Sequence, residues 1–239
     1  ANIEAKEVHI ISLYGSIGRD TNKNESIFDE DYVGWITTYR DGAYKLFARA
    51  AGDIYIRELA YDLIVGEVVS INGDVSLSAY MDVKSHNDEG SKTANVTGEN
   101  IYIETTYGII SLNVMANGDV ILNSYDRITN LRQEGIGDIL ITGRNITLIS
   151  RNGGVGQDDS YIELDTTEGG VLNVYAHEGV YIREIYGDLI VGKVISTIGD
   201  VELEVISGSI LRVQNDEDHI ISGKNIRLVS LMGGIGGED

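Results

Sequence analysis

Residues 53–79 return at 179–205, 126 positions later, with 15 of 27 positions identical and no gap. Unrelated segments of average composition would share about two. Tyr55-Ile56-Arg57-Glu58 meets Tyr181-Ile182-Arg183-Glu184, and Asp62-Leu63-Ile64-Val65-Gly66 meets Asp188-Leu189-Ile190-Val191-Gly192. Gly73-Asp74-Val75 meets Gly199-Asp200-Val201, and upstream Trp35-Ile36 meets Tyr161-Ile162. A second element begins at Gly143-Arg144-Asn145-Ile146 and returns at Gly223-Lys224-Asn225-Ile226. The two copies end in Gly153-Gly154-Val155-Gly156 and Gly233-Gly234-Ile235-Gly236. Looser copies begin at Ala5 and Gly98. Allowing for an insertion after Gly18, these starts divide the chain into blocks of about 5–97, 98–142, 143–222 and the opening of another at 223–239. A chain built from copies must give each copy an equivalent setting, which confines it to repeat architectures.

The local pattern is that of strands. In Val201-Glu202-Leu203-Glu204-Val205 the apolar side chains share one face and the glutamates the other. That is the two-residue period of a half-buried strand. Similar runs occur at 54–59, 75–79, 101–105, 120–123, 146–149, 162–165, 180–185 and 226–229. Helical periodicity between capping signals is absent, so the chain is read as all-β with at most one helical turn in a loop. Gly-Asp pairs punctuate the runs, glycine supplying turn dihedrals and aspartate bonding nearby backbone amides.

Regular short strands fit either an antiparallel sandwich or a solenoid of stacked parallel coils. Few Asn-Gly hairpin signals and a long repeat period favour the solenoid, as one unit over 1–239. At 20–22 residues per coil it has roughly 11 coils: about four in an 80-residue block, two in a 45-residue one. At the usual strand spacing they make a rod about 50 Å long. The chain has no proline. In a solenoid nearly every strand is paired on both sides, where proline would delete a ladder hydrogen bond.

Composition removes whole classes of function. There is no cysteine, so no disulfide, thiolate metal site or Cys nucleophile. Asp and Glu outnumber Lys and Arg 38 to 18, a formal charge of −20. Such a surface does not displace counterions from nucleic acid and repels anionic lipid. No apolar run approaches the ~20 residues of a membrane-spanning helix. The opening residues read as strand instead of signal peptide, so the chain is expected to be a mature form or an excised piece of something longer.

The repeated Gly-Val-Tyr-Ile-Arg-Glu … Gly-Asp-Leu-Ile-Val-Gly … Gly-Asp-Val-Glu-Leu pattern, followed by Gly-Lys-Asn-Ile-Arg-Leu … Gly-Gly-Ile-Gly, resembles a known family of repeat regions. These belong to large secreted bacterial surface proteins, the filamentous-haemagglutinin-like and hemolysin-type adhesins. The resemblance covers about residues 35–85 and 98–236. It implies a right-handed parallel β-helix serving as a stalk or binding shaft at the bacterial cell surface. The family's secretion domain and its proline- or threonine-rich spacers have no counterpart in these residues.

Candidate sites are few. Gly153-Gly154-Val155-Gly156-Gln157-Asp158 matches the first six positions of the calcium-binding G-G-x-G-x-D repeat. The eighth position, however, is Ser160, and the sister copies degrade. A glycine corner closing a block is the favoured reading. Acidic groups sit in expected loops: Asp29-Glu30-Asp31, Asp158-Asp159, Asp88-Glu89 and Asp216-Glu217-Asp218. Asp29, Asp31, Asp158 and Asp159 are the calcium candidates, set against solvated charge that keeps a rod soluble; no other cofactor is expected. Outward Tyr55 and Tyr181 suit aromatic ladders between coils better than sugar stacking. The four histidines have no metal spacing, and a repeated Arg-Glu pair suits a scaffold better than a catalytic site, which is normally single.

The expected function is therefore a non-catalytic structural or adhesive segment of an extracellular bacterial surface protein. Its expected partners are neighbouring coils of a longer parent chain or further copies end to end, with surface glycans or host receptors on its faces. The alternatives are a self-assembling filament subunit and a polysaccharide-degrading β-helix enzyme.

Overall fold

The computed structural model describes residues 2–3, 7–18, 36–38, 45–86, 95–130, 140–167, 169–213 and 221–236. Within them every strand pair is parallel, and the strands form one 11-stranded and one 13-stranded sheet. The chain alternates between the sheets as it advances, making a parallel β-solenoid around a single core. No helix occurs among the described residues. Following one side of the coil from strand to strand, Val8, Leu46, Leu63, Val83, Ile109, Ile128, Val155, Val180, Val201 and Ile226 mark ten successive rungs. This is close to the eleven coils read from the sequence.

Alternating apolar residues explain why these strands stack. In the 11-stranded sheet Ile54, Val75, Ile101, Val120, Ile146 and Leu172 lie in register, and all are buried. Ile56, Leu77, Ile103, Leu122, Leu148 and Val174 form the next inward column, equally sealed. Each such side chain contributes roughly 1.5–3 kcal/mol by leaving water. Rung length is not constant. From Ile54 to Leu172 it runs 21, 26, 19, 26 and 26 residues.

The copies do not stack on one another. Ile54–Glu58 lies in the 11-stranded sheet, but its copy Val180–Glu184 lies in the 13-stranded one. Leu63–Ser70 and Leu189–Ser196 exchange sheets in the same way. The 45-residue spacing from Gly98 to Gly143 spans two whole rungs, as expected. The 80-residue spacing spans three and a half instead of four, so Ile146–Ser150 and Ile226–Ser230 also face opposite ways.

Most glycines serve close approach and not φ > 0. A side chain on Gly153 would strike the Asp126 carbonyl at 2.1 Å, and one on Gly199 the Gly179 backbone at 2.4 Å. Only at positions such as Gly156, φ 71°, does the backbone itself require glycine. Both glycines close a Ser-x-x-Gly corner, which occurs at Ser12, Ser70, Ser150, Ser196 and Ser230. Ser70 Oγ accepts from Gly73 N at 2.9 Å and donates to the Gly52 carbonyl of the preceding rung at 2.9 Å. Ser196 and Ser230 repeat both bonds.

The Gly-Asp aspartates join one rung to the next, across about 20 residues or more. Asp53 Oδ1 accepts from Asp74 N at 2.9 Å, and Asp74 Oδ1 from Asn100 N at 3.1 Å and Asn100 Nδ2 at 2.9 Å. Asn100 Oδ1 accepts from Asp119 N at 2.9 Å. Asp188 holds Ser209 N at 2.7 Å, and Asp200 holds Asn225 N at 3.2 Å. Each corner has an amide that the sheet ladder does not reach, and an unpaired one is costly. Asp74→Ala is expected to lower unfolding free energy by about 1–2 kcal/mol, and Asp74→Asn by clearly less. Urea unfolding that finds the two variants equal would refute this role.

Candidate functional site

The Gly153–Asp158 motif forms one wall of a groove of about 450 Å³ at the corner of the coil. Gly154, Gly156, Gly179 and Gly199 give it a backbone floor, and Arg127, Asp158, Glu178, Asp200 and Lys224 bring charge to its edge. Asp158 and Asp159 are the middle residues of a tight turn closed by Gln157 N to the Ser160 carbonyl, 2.9 Å, and Ser160 N to the Gln157 carbonyl, 3.0 Å. Both are exposed. Among the described residues no three His, Asp or Glu side chains converge as ligands for a metal ion. Asp29 and Asp31, with the acidic runs 88–89 and 216–218, lie outside the described residues.

Beside the groove an ion-pair ladder runs over the outward face of the 13-stranded sheet. Arg183 stands in register between Glu163 and Glu204. It donates Nη1 to Glu163 at 2.9 Å and Nη2 to Glu204 at 3.0 Å, and its guanidinium lies 4.3 Å over the Tyr161 ring. Tyr161 meets Tyr181 edge-on at 6.3 Å between centroids and donates its hydroxyl to Glu202. The aromatic ladder expected at Tyr181 is therefore present. Tyr55, its counterpart on the other sheet, is buried and not displayed.

The repeated Arg-Glu pair has a structural explanation in its glutamate. Glu58 and Glu184 both point into the core at a strand end and are almost completely buried. Glu58 Oε1 accepts from Ala60 N at 3.1 Å and Tyr61 N at 3.3 Å, so it caps the turn that follows. Glu184 accepts from Thr166 N at 3.1 Å and Thr166 Oγ1 at 2.9 Å, with a further bond from the Tyr186 amide. Burial pushes the Glu184 carboxyl up to about 8, against these bonds, which favour the anion.

The comparisons with known proteins return no family model, no curated protein and no solved structure that matches the chain.

The raised Glu184 carboxyl gives a signed expectation. The folded chain holds that proton more tightly than the unfolded one. Its contribution is thus complete below about pH 4.5 and is lost as pH rises through about 8. The melting temperature of Glu184→Gln is expected to depend less on pH over this window than that of the unsubstituted chain. Parallel pH profiles would mean that Glu184 ionises as freely folded as unfolded.

Proposed function

We propose that the chain is a non-catalytic shaft segment of a large extracellular bacterial surface protein. The observation that carries this reading is the stacking of parallel rungs around a single core. Ile226 stands in register with Val201, yet Val201 is 1% exposed and Ile226 48%. Ile235, paired with buried Ile210, is likewise exposed. These are inward-type positions left uncovered, beside a strand whose outer edge can take another parallel partner. The likeness of the repeats to those of filamentous-haemagglutinin-like adhesins supports the surface setting, and the stacked fold supports a mechanical role.

The same open rung favours a second reading, a subunit that stacks end to end into filaments. Head-to-tail contacts that do not close generate open fibres. Sedimentation across a dilution series separates the readings. Growth with concentration that is abolished by Ile226→Lys or Ile235→Lys supports the filament. A monomer at every dilution sinks it. The surface setting has its own check: antibody against the chain is expected to label intact producing cells. Labelling only after permeabilisation would overturn the extracellular assignment.

A further inference from the structure

A second groove, of about 370 Å³, lies on the outward face of the 11-stranded sheet, away from the open end. Its walls come from neighbouring rungs. Ala79, Thr105, Ser124 and Ser150 are in register, so the residues that follow them, Tyr80, Thr106, Tyr125 and Arg151, form a row across four rungs. Tyr80 is 52% and Tyr125 54% exposed, and they stand two rungs, about 10 Å, apart. Thr106 occupies the rung between them.

The floor is polar and built. Glu104 and Asn123 are adjacent in register and each 7% exposed, although both belong to the solvent-side face. Asn123 Nδ2 donates to Glu104 Oε1 at 3.2 Å, Tyr102 donates to Glu104 Oε2 at 2.8 Å, and Arg151 Nε donates to Asn123 Oδ1 at 3.4 Å. Burial holds the Glu104 carboxyl above its ordinary value. Thr106 Oγ1 is buried without a hydrogen-bond partner, which native structures avoid unless something else satisfies the group.

We propose that this groove binds a neutral oligosaccharide. The two tyrosine rings offer faces for the C–H surfaces of successive sugar rings, while Glu104, Asn123 and Arg151 offer planar acceptors and donors to vicinal hydroxyls. Mostly apolar walls with a few convergent polar groups are the usual make-up of a small-molecule site. A neutral ligand is specified because the floor carries a carboxylate and the chain a charge of −20, both of which repel an anionic polysaccharide. Among the described residues Glu104 is the one carboxylate lining the groove, whereas glycoside hydrolysis ordinarily needs two acting across the bond. The site therefore holds its ligand and does not cleave it. This inference goes beyond the shaft role proposed above and is independent of how the rod is continued.

The experiment is calorimetric titration of the full chain with cellotetraose, maltotetraose, laminaritetraose and chitotetraose, and with tetragalacturonate as the anionic comparison. At least one neutral tetrasaccharide is expected to bind in the micromolar to millimolar range, unchanged in length after incubation. Tyr80→Ala and Tyr125→Ala are each expected to weaken it about tenfold or more. Arg151→Gln, at the rim, weakens it without touching the core and stands in should a tyrosine variant fail to fold. No binding at millimolar sugar, binding only of tetragalacturonate, shortening of a bound sugar, or affinity untouched by these substitutions would overturn the proposal. None of these outcomes bears on the sedimentation or cell-labelling tests, so the two readings fail separately.

Discussion

The constraint on which the structure depends is the satisfaction of backbone amides at the corners. Within a flat stretch of parallel sheet every N–H meets a carbonyl on an adjacent rung. Where the chain turns, some amides lose that match, and leaving one unpaired costs stability. The protein meets the need with short side chains that act between rungs. Asp53, Asp74, Asn100, Asp188 and Asp200 reach the next rung's amides. The Ser-x-x-Gly hydroxyls reach the preceding rung's carbonyls. Glycine beside them removes the side chain that would hold the rungs apart. Part of the acidity is thus structural, carried by carboxylates that hold the coil in register.

Glu58 and Glu184 show the same need met inside the core, where the carboxylate must also be desolvated. A buried carboxyl is tolerated where several donors converge on it, and the three groups around Glu184 do so. At Glu184 the cost lies in pH sensitivity.

The stacking was legible in the sequence because it has a local signature. Strands such as 75–79 and 201–205 alternate cleanly between short turns, and the absence of proline agrees with pairing on both sides. What the copies do in space was not legible. A repeat of 126 residues fixes similarity, but only the unequal rung lengths, 19 and 26 residues, decide that the copies fall on opposite sheets. The function of Gly-Asp was half legible: aspartate was expected to serve nearby amides, yet the amides are those of the next rung. Ser-x-x-Gly was available to inspection and is a sharper corner signal than glycine alone. The Tyr80–Tyr125 groove has no linear signature, since its members lie on separate rungs and meet only through register. Asp158 and Asp159 were placed correctly on a turn, and the groove beside them is assembled from distant corners.

The exchange of sheets by the duplicated segments has a geometric consequence for any longer array of such units. A unit holding a half-integral number of turns acts like a screw step, delivering each motif to alternate flanks as the array grows. Side chains that served one flank in one copy serve the opposite flank in the next. A partner engaging two successive copies of one motif would have to reach across the thickness of the rod, whereas a partner running along its length would meet that motif only at every second copy.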